Sequence, residues 1–142
     1  PLNQEINFKI NKFFRTITKN KKLTTKILSI KGRNFVINKF YEGIVRFDFS
    51  ELCDQNLGSE DYIEIVKNCK FIVIDNIPLF NDINPNQQQR FITLLDIIYE
   101  KKIPIAVSSK FNLDNFSSSR LLEKTFKRTI SRLYELTSMT YN

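Results

Sequence analysis

Hydrophobic positions along the chain change their spacing several times, and each change marks an element. Over residues 3–18, Ile6, Phe8, Ile10, Phe13, Phe14 and Ile17 settle into helical spacing and predict an amphipathic helix. Residues 25–29 and 35–38 then read as strands joined across Lys31-Gly32-Arg33-Asn34, where Gly32 and Asn34 supply turn chemistry. A third strand, 44–49, follows the turn at Glu42-Gly43, so the first half predicts a small antiparallel meander. Ser50 is the expected N-cap of a short helical turn, and Ser59 that of a helix running to about Lys67, with Glu60 and Asp61 in its first turn.

After residue 70 the pattern becomes that of an α/β unit. Phe71-Ile72-Val73-Ile74-Asp75 is a buried strand ending in a carboxylate, and Pro78 closes the turn beyond it. Asn84-Pro85 reads as a cap with proline at the first helical position. Phe91, Leu94, Leu95 and Ile98 then share one face of a helix over 85–101. Residues 104–107 form the next strand, which ends at Ser108-Ser109. Strand-helix-strand order favours parallel pairing with a right-handed crossover. Residues 117–119 are a polar loop, and a last helix is expected over 128–138. The fold class is therefore α/β: a small antiparallel meander plus a βαβ unit with covering helices.

Composition narrows the function. At 142 residues and 42% hydrophobic content the chain is one domain with a real core. No apolar run approaches a membrane span, and no secretory leader is expected at its start. With no histidine, the commonest general base and the Ser-His and Cys-His nucleophile systems are excluded. Cys53 and Cys69 stand without zinc spacing and read as reduced, buried hydrophobes. The net charge of +7 reads as spread along the chain, with residues 19–22 its one cluster. Lysine excess accompanies Ile, Asn and Phe, as AT-rich coding gives, which argues against nucleic acid as the partner. A nucleic-acid reading would rest on residues 19–26 and on steep salt dependence.

Three constellations carry candidate chemistry. The first is Asp75 at one strand end beside Ser108-Ser109 at the next; in P-loop enzymes such positions hold magnesium and sense the γ-phosphate. Asn76 follows Asp75, so no glutamate stands there to polarise water, and the plainer reading has Asp75 capping the loop at Pro78 and the serines making a turn. The second is Arg128 and Arg132, at i and i+4 on one helix face, able to grip a phosphate or simply to pair with Glu135. The third is Arg90, in the second turn of the 85–101 helix, which could be offered to a neighbouring subunit's phosphate or be an exposed helix charge. No G-x-x-x-x-G-K-[ST] loop occurs, and none of Gly32, Gly43 and Gly58 opens a helix after a buried strand.

Taken in order, six stretches resemble the C-terminal half of the ZapE family of AAA+ ATPases, which includes bacterial cell-division ATPases and the mitochondrial lactation-elevated ATPases. They are Lys31-Gly32-Arg33; residues 43–53 (GIVRFDFSELC); residues 57–62 (LGSEDY); Ile74-Asp75-Asn76-Ile77-Pro78; residues 90–99 (RFITLLDIIY); and residues 128–135 (RTISRLYE). The resemblance covers about residues 31–138. It implies that residues 1–142 are the C-terminal portion of an AAA+ P-loop fold, without the half that carries the phosphate loop and Walker B strand. It further implies ATP and Mg2+ bound mainly by that other half, self-association in an oligomer, peripheral membrane association, and a bacterial cytoplasmic or eukaryotic mitochondrial location. By family position Arg90 is the candidate arginine finger, and Arg128 and Arg132 are candidate nucleotide sensors. The family often has two adjacent arginines where this chain has Gln89-Arg90. The alternatives are a non-catalytic interaction module or degraded family member and, third, a basic nucleic-acid-binding domain.

Overall fold

The computed structural model describes residues 2–80 and 83–109, with side chains from residue 8 onward. Its elements are α1 (Leu2–Thr18), β1 (Leu23–Ile30), β2 (Arg33–Tyr41), β3 (Ile44–Asp48), α2 (Phe49–Cys53), α3 (Ser59–Lys67), β4 (Phe71–Ile77), α4 (Pro85–Lys101) and β5 (Ile105–Ser109). The meander and the βαβ unit are not separate pieces. They form one five-stranded sheet in the order β1-β2-β3-β4-β5, antiparallel across β1-β2-β3 and parallel across β3-β4-β5.

Two tight turns build the meander. Lys31 and Gly32 both have positive φ (52° and 77°), as do Glu42 and Gly43 (53° and 100°). Paired left-handed residues give the twist that two-residue hairpins need. Asn34, assigned above to the first turn, instead lies within β2 opposite Ser29. Gly43 has a second constraint: a Cβ there would lie 2.9 Å from the Lys70 side chain.

The parallel part contains two crossovers, β3-α2-α3-β4 and β4-α4-β5. Both place their helices on the same sheet face, as successive crossovers of one hand must when they step the same way across a sheet. There Tyr62, Ile65 and Val66 of α3 and Phe91, Leu94, Leu95 and Ile98 of α4 pack on Phe47, Ile72, Ile74 and Ile105. On the opposite face, Ile10 and Phe14 of α1 cover Val73 and Ala106. Cover on both faces explains the unbroken apolar run of β4, where inward and outward positions are both dry.

Caps differ from the expected ones. Ser50 is not the N-cap of α2: Asp48 is, its carboxylate accepting from the Ser50 N–H at 3.0 Å while Glu51 accepts from the Asp48 N–H at 2.9 Å. A carboxylate accepts such bonds as well as a serine and adds negative charge at the helix start. Likewise Gly58 occupies the N-cap of α3, and Asp61 accepts from its N–H at 2.8 Å. Asn84 caps α4 without a side-chain bond to it; its amide donates to the Leu79 carbonyl at 3.0 Å. Both cysteines are buried, and burial pushes their thiols up to about 12, so they are neutral packing groups. Tyr62, fully buried, donates to the Leu52 carbonyl at 2.6 Å and ties α3 to α2.

Candidate functional site

The carboxyl ends of β3, β4 and β5 bring together the polar groups that the strand pattern had kept apart. Asp48 and Asp75 are direct register partners across the parallel β3–β4 pair. Alternation along each strand then puts Arg46, Asp48, Asp75 and Ser108 on the face that α1 covers, the side to which Val73 and Ala106 also point. Arg46 reaches diagonally to Asp75, with Nε 2.5 Å from Oδ2 and Nη2 3.2 Å from Oδ1. The Ser108 hydroxyl donates to the same Oδ1 at 2.8 Å and accepts from the Asn76 N–H at 3.2 Å. The Asn76 side-chain amide donates to Asp48 Oδ1 at 2.6 Å, from a residue held at φ 62°. Above the Arg46 guanidinium lies the Phe14 ring, 5.1 Å from its carbon to the ring centroid. The group opens on a cavity of about 560 Å3 whose wall includes Asn11, Lys39, Arg46, Asp48, Glu51 and Asp75.

This arrangement ties the ends of β3, β4 and β5 together. Both oxygens of Asp75 accept hydrogen bonds from Arg46 or Ser108, so the capping of the Pro78 loop considered above does not describe it. Ser108 and Ser109 belong to β5 and not to a turn; Ser109 donates to the Ile77 carbonyl at 2.6 Å. Among the described residues no group of three or more His, Cys, Asp or Glu could hold a metal ion. No glycine-lined cradle for phosphates exists either, since Gly32 and Gly43 sit in hairpin turns and Gly58 caps α3. The described residues therefore do not fit Mg2+-ATP, and no step of hydrolysis is derived through them.

The Asp48 carboxyl is poised by opposing effects. Burial raises it, but the Ser50 hydroxyl, the Asn76 amide and the Ser50 N–H together outweigh burial and hold it below its ordinary value of 3.8. A lowered carboxylate stabilises the folded chain fully above that ordinary value and loses its contribution as pH falls through the lower, folded-state value. Asp48→Asn is thus expected to cost stability near neutral pH and to narrow its gap from the parent in strong acid. Urea melts across that range check this; a gap that stays constant with pH would contradict it.

Of the three arginines singled out by sequence, the described residues contain one. Arg90 is not an exposed helix charge: it is half-buried, and its Nη1 donates to the Cys53 carbonyl at 3.0 Å. That carbonyl lies at the end of α2, where helical carbonyls lack intrahelical partners. Beside it, the Gln87 amide donates to Asp54 at 3.2 Å. Arg128 and Arg132, the last helix and the 117–119 loop lie outside the described residues.

The sequence matches the family model described as AFG1-like ATPase over residues 1–142. The chain belongs to the AFG1-like ATPase family. This is a family of P-loop NTPases of the AAA+ class, and the mixed sheet with its covering helices is part of that fold. Among curated relatives, lactation elevated protein 1 homolog B of Danio rerio is 32% identical over 89 residues, which are 63% of this chain and 18% of that protein. The cell division protein ZapE of Escherichia coli K12 is 24% identical over 141 residues, 99% of this chain and 38% of that protein. The chain thus spans less than two fifths of the length of these relatives. No solved structure matches it.

The AFG1-like chain also has site residues that sequence reasoning passed over: Arg46, Asp48 and Asn76. One signal was available. Arg46 and Asp48 interrupt an otherwise apolar strand between buried Val45, Phe47 and Phe49, and a charge inside a central strand needs a partner. The partner itself, 29 residues away, could not be read from spacing.

Proposed function

We propose that this chain is the C-terminal part of an ATP-hydrolysing AAA+ protein and acts by lending arginines and partner surface to a nucleotide held elsewhere. One observation carries the reading: the ATPase family model matches all of residues 1–142, yet they contain no G-x-x-x-x-G-K-[ST] loop. ATP and Mg2+ are assigned to a part of the protein preceding these residues. Arg128 and Arg132 then act as nucleotide sensors, and Arg90 as a finger reaching a neighbouring subunit in a self-associated ring. The similarity to ZapE over 99% of the chain supports a cell-division-associated role in the cytoplasm of a bacterium. The similarity to the lactation elevated protein supports a mitochondrial location if the source is eukaryotic. Peripheral membrane association belongs to the same proposal.

Hydrolysis measurements test it. The 142-residue chain alone is expected to show no magnesium-dependent ATP turnover, and measurable turnover would overturn the division of labour. In the full-length protein, Arg132→Ala is expected to slow hydrolysis by about ten-fold or more, as losing a cation from a phosphoryl-transfer site does. Unchanged hydrolysis there would remove Arg132 from the mechanism. If the full-length protein hydrolyses nothing, the non-catalytic interaction module is the correct reading.

A further inference from the structure

The chain's charge is not spread evenly. Residues 19–46 hold eight Lys and Arg against one acid, Glu42, which equals the whole net charge of +7; everything outside them sums to zero. That segment folds as the loop before β1 and the β1-β2-β3 meander. Arg46 is committed to Asp75, while Lys31 and Arg33 pair with Glu60 and Asp61 of α3. Lys19, Lys21, Lys22, Lys26 and Lys39 make no ion pair among the described residues.

Two further features coincide with these lysines. The first is an open sheet edge: among the described residues β1 has a strand neighbour on one side only, so part of its N–H and C=O groups face outward along eight residues. The second is uncovered apolar surface. On the α1 side of the sheet, α1 packs over β4 and β5, and among the described residues its Phe14 ring meets Tyr41 at the end of β2. Ile27 and its cross-strand partner Val36 are left 61% and 40% exposed on that side, with Leu23 53% exposed nearby.

We propose that β1 receives an extended acidic segment of a protein partner, added antiparallel or parallel as a further strand. An extended peptide meets all three features together. Its backbone pairs with the open edge, alternate apolar side chains lie against Leu23 and Ile27, and carboxylates at one end face Lys19, Lys21 and Lys22. Single-stranded nucleic acid would use the charge but wants stacking rings, and the exposed residues here are aliphatic. A lipid surface would use charge and apolar surface but leave the backbone edge unpaired. A second copy of this edge would oppose lysine to lysine.

The test uses the full chain and a short fluorescent peptide of alternating valine and threonine ending in glutamates. Its lysine-ended counterpart, phosphatidylserine vesicles and oligo-dT are the comparison probes. The glutamate peptide is expected to raise fluorescence anisotropy, with the lysine peptide weaker by about ten-fold or more. Bound peptide is expected to slow hydrogen exchange of β1 amides by about ten-fold. Lys21→Glu with Lys22→Glu, both exposed positions, should weaken the glutamate peptide by about ten-fold without moving the unfolding midpoint. The proposal is overturned if the glutamate peptide does not bind, if it binds with no protection in β1, if both peptides bind alike, or if only vesicles or oligo-dT bind. None of these outcomes depends on ATP turnover, so they stand apart from the reading above.

Discussion

Phe91→Ala is expected to destabilise the chain by about 3–5 kcal/mol, the range for deleting a fully buried phenylalanine. Phe91 has no exposed surface, and its ring lies 5.7 Å from Phe49 and 5.5 Å from Phe80, which are themselves 5.6 Å apart. The three rings belong to α4, to the first turn of α2 and to the segment after β4, so each fills space that the other two enclose. Tilted packing at these separations adds about 0.5–1.5 kcal/mol per pair beyond burial. Removing one ring leaves a hole bounded by elements that cannot all collapse into it. Phe91→Leu, which keeps most of the volume, should cost less than half as much. Urea unfolding followed by circular dichroism reads both; an alanine variant within about 1 kcal/mol of the parent would mean that the cluster is not packed this way. The same cluster seats α2 beneath Arg90, so the alanine variant should also loosen the Arg90 bond to Cys53.

Breaking the Arg46–Asp75 pair has the second largest expected effect. Arg46→Met should cost about 2–4 kcal/mol, somewhat below the range of about 3–5 kcal/mol for stranding a fully buried charge, because the two side chains keep 14% and 18% of their surface exposed. Asp75 would then retain only the Ser108 hydroxyl for a carboxylate enclosed between α1 and the sheet. Asp75→Asn in the same chain removes that stranded charge, so the double variant should recover at least about 1 kcal/mol of the loss. Additive costs would show that the two side chains act independently. If these groups only position the strand ends, the double variant in the full-length protein should hydrolyse ATP at the parent rate once folded. A rate lost without loss of fold would give the network a role in the reaction.

Much of the architecture was legible because it depends on local periodicity. The helices expected over 3–18 and 85–101 and the strand expected over 71–75 announced themselves through spacing of three to four or through an unbroken apolar run, and the structure extends the strand to Ile77. Boundaries failed where two residue types could serve one role. Ser50 and Asp48 are both good caps, and the structure uses Asp48 because β3 ends there, directly opposite Asp75. Arg90 was legible as a helix residue but not as a donor to Cys53, since that bond depends on how α4 packs on α2. The excess of lysine and arginine over 19–46 was countable in the sequence; what only the fold gave is that this segment forms one antiparallel ribbon with β1 along its edge.

The sequence by itself determined the fold class, the absence of histidine chemistry and of a phosphate loop within these residues, and, through six ordered stretches, the ATPase family. Those properties rest on residue identity, on spacing along the chain and on motif order. Only the tertiary structure decided that the meander and the βαβ unit share one sheet, that Asp75 is held by Arg46 and Ser108, and that β1 is, among the described residues, an open edge beside lysines without ion pairs. Each of these is a contact between residues far apart in sequence. Their partners are chosen by strand register and by which sheet face a helix covers, and a linear pattern encodes neither.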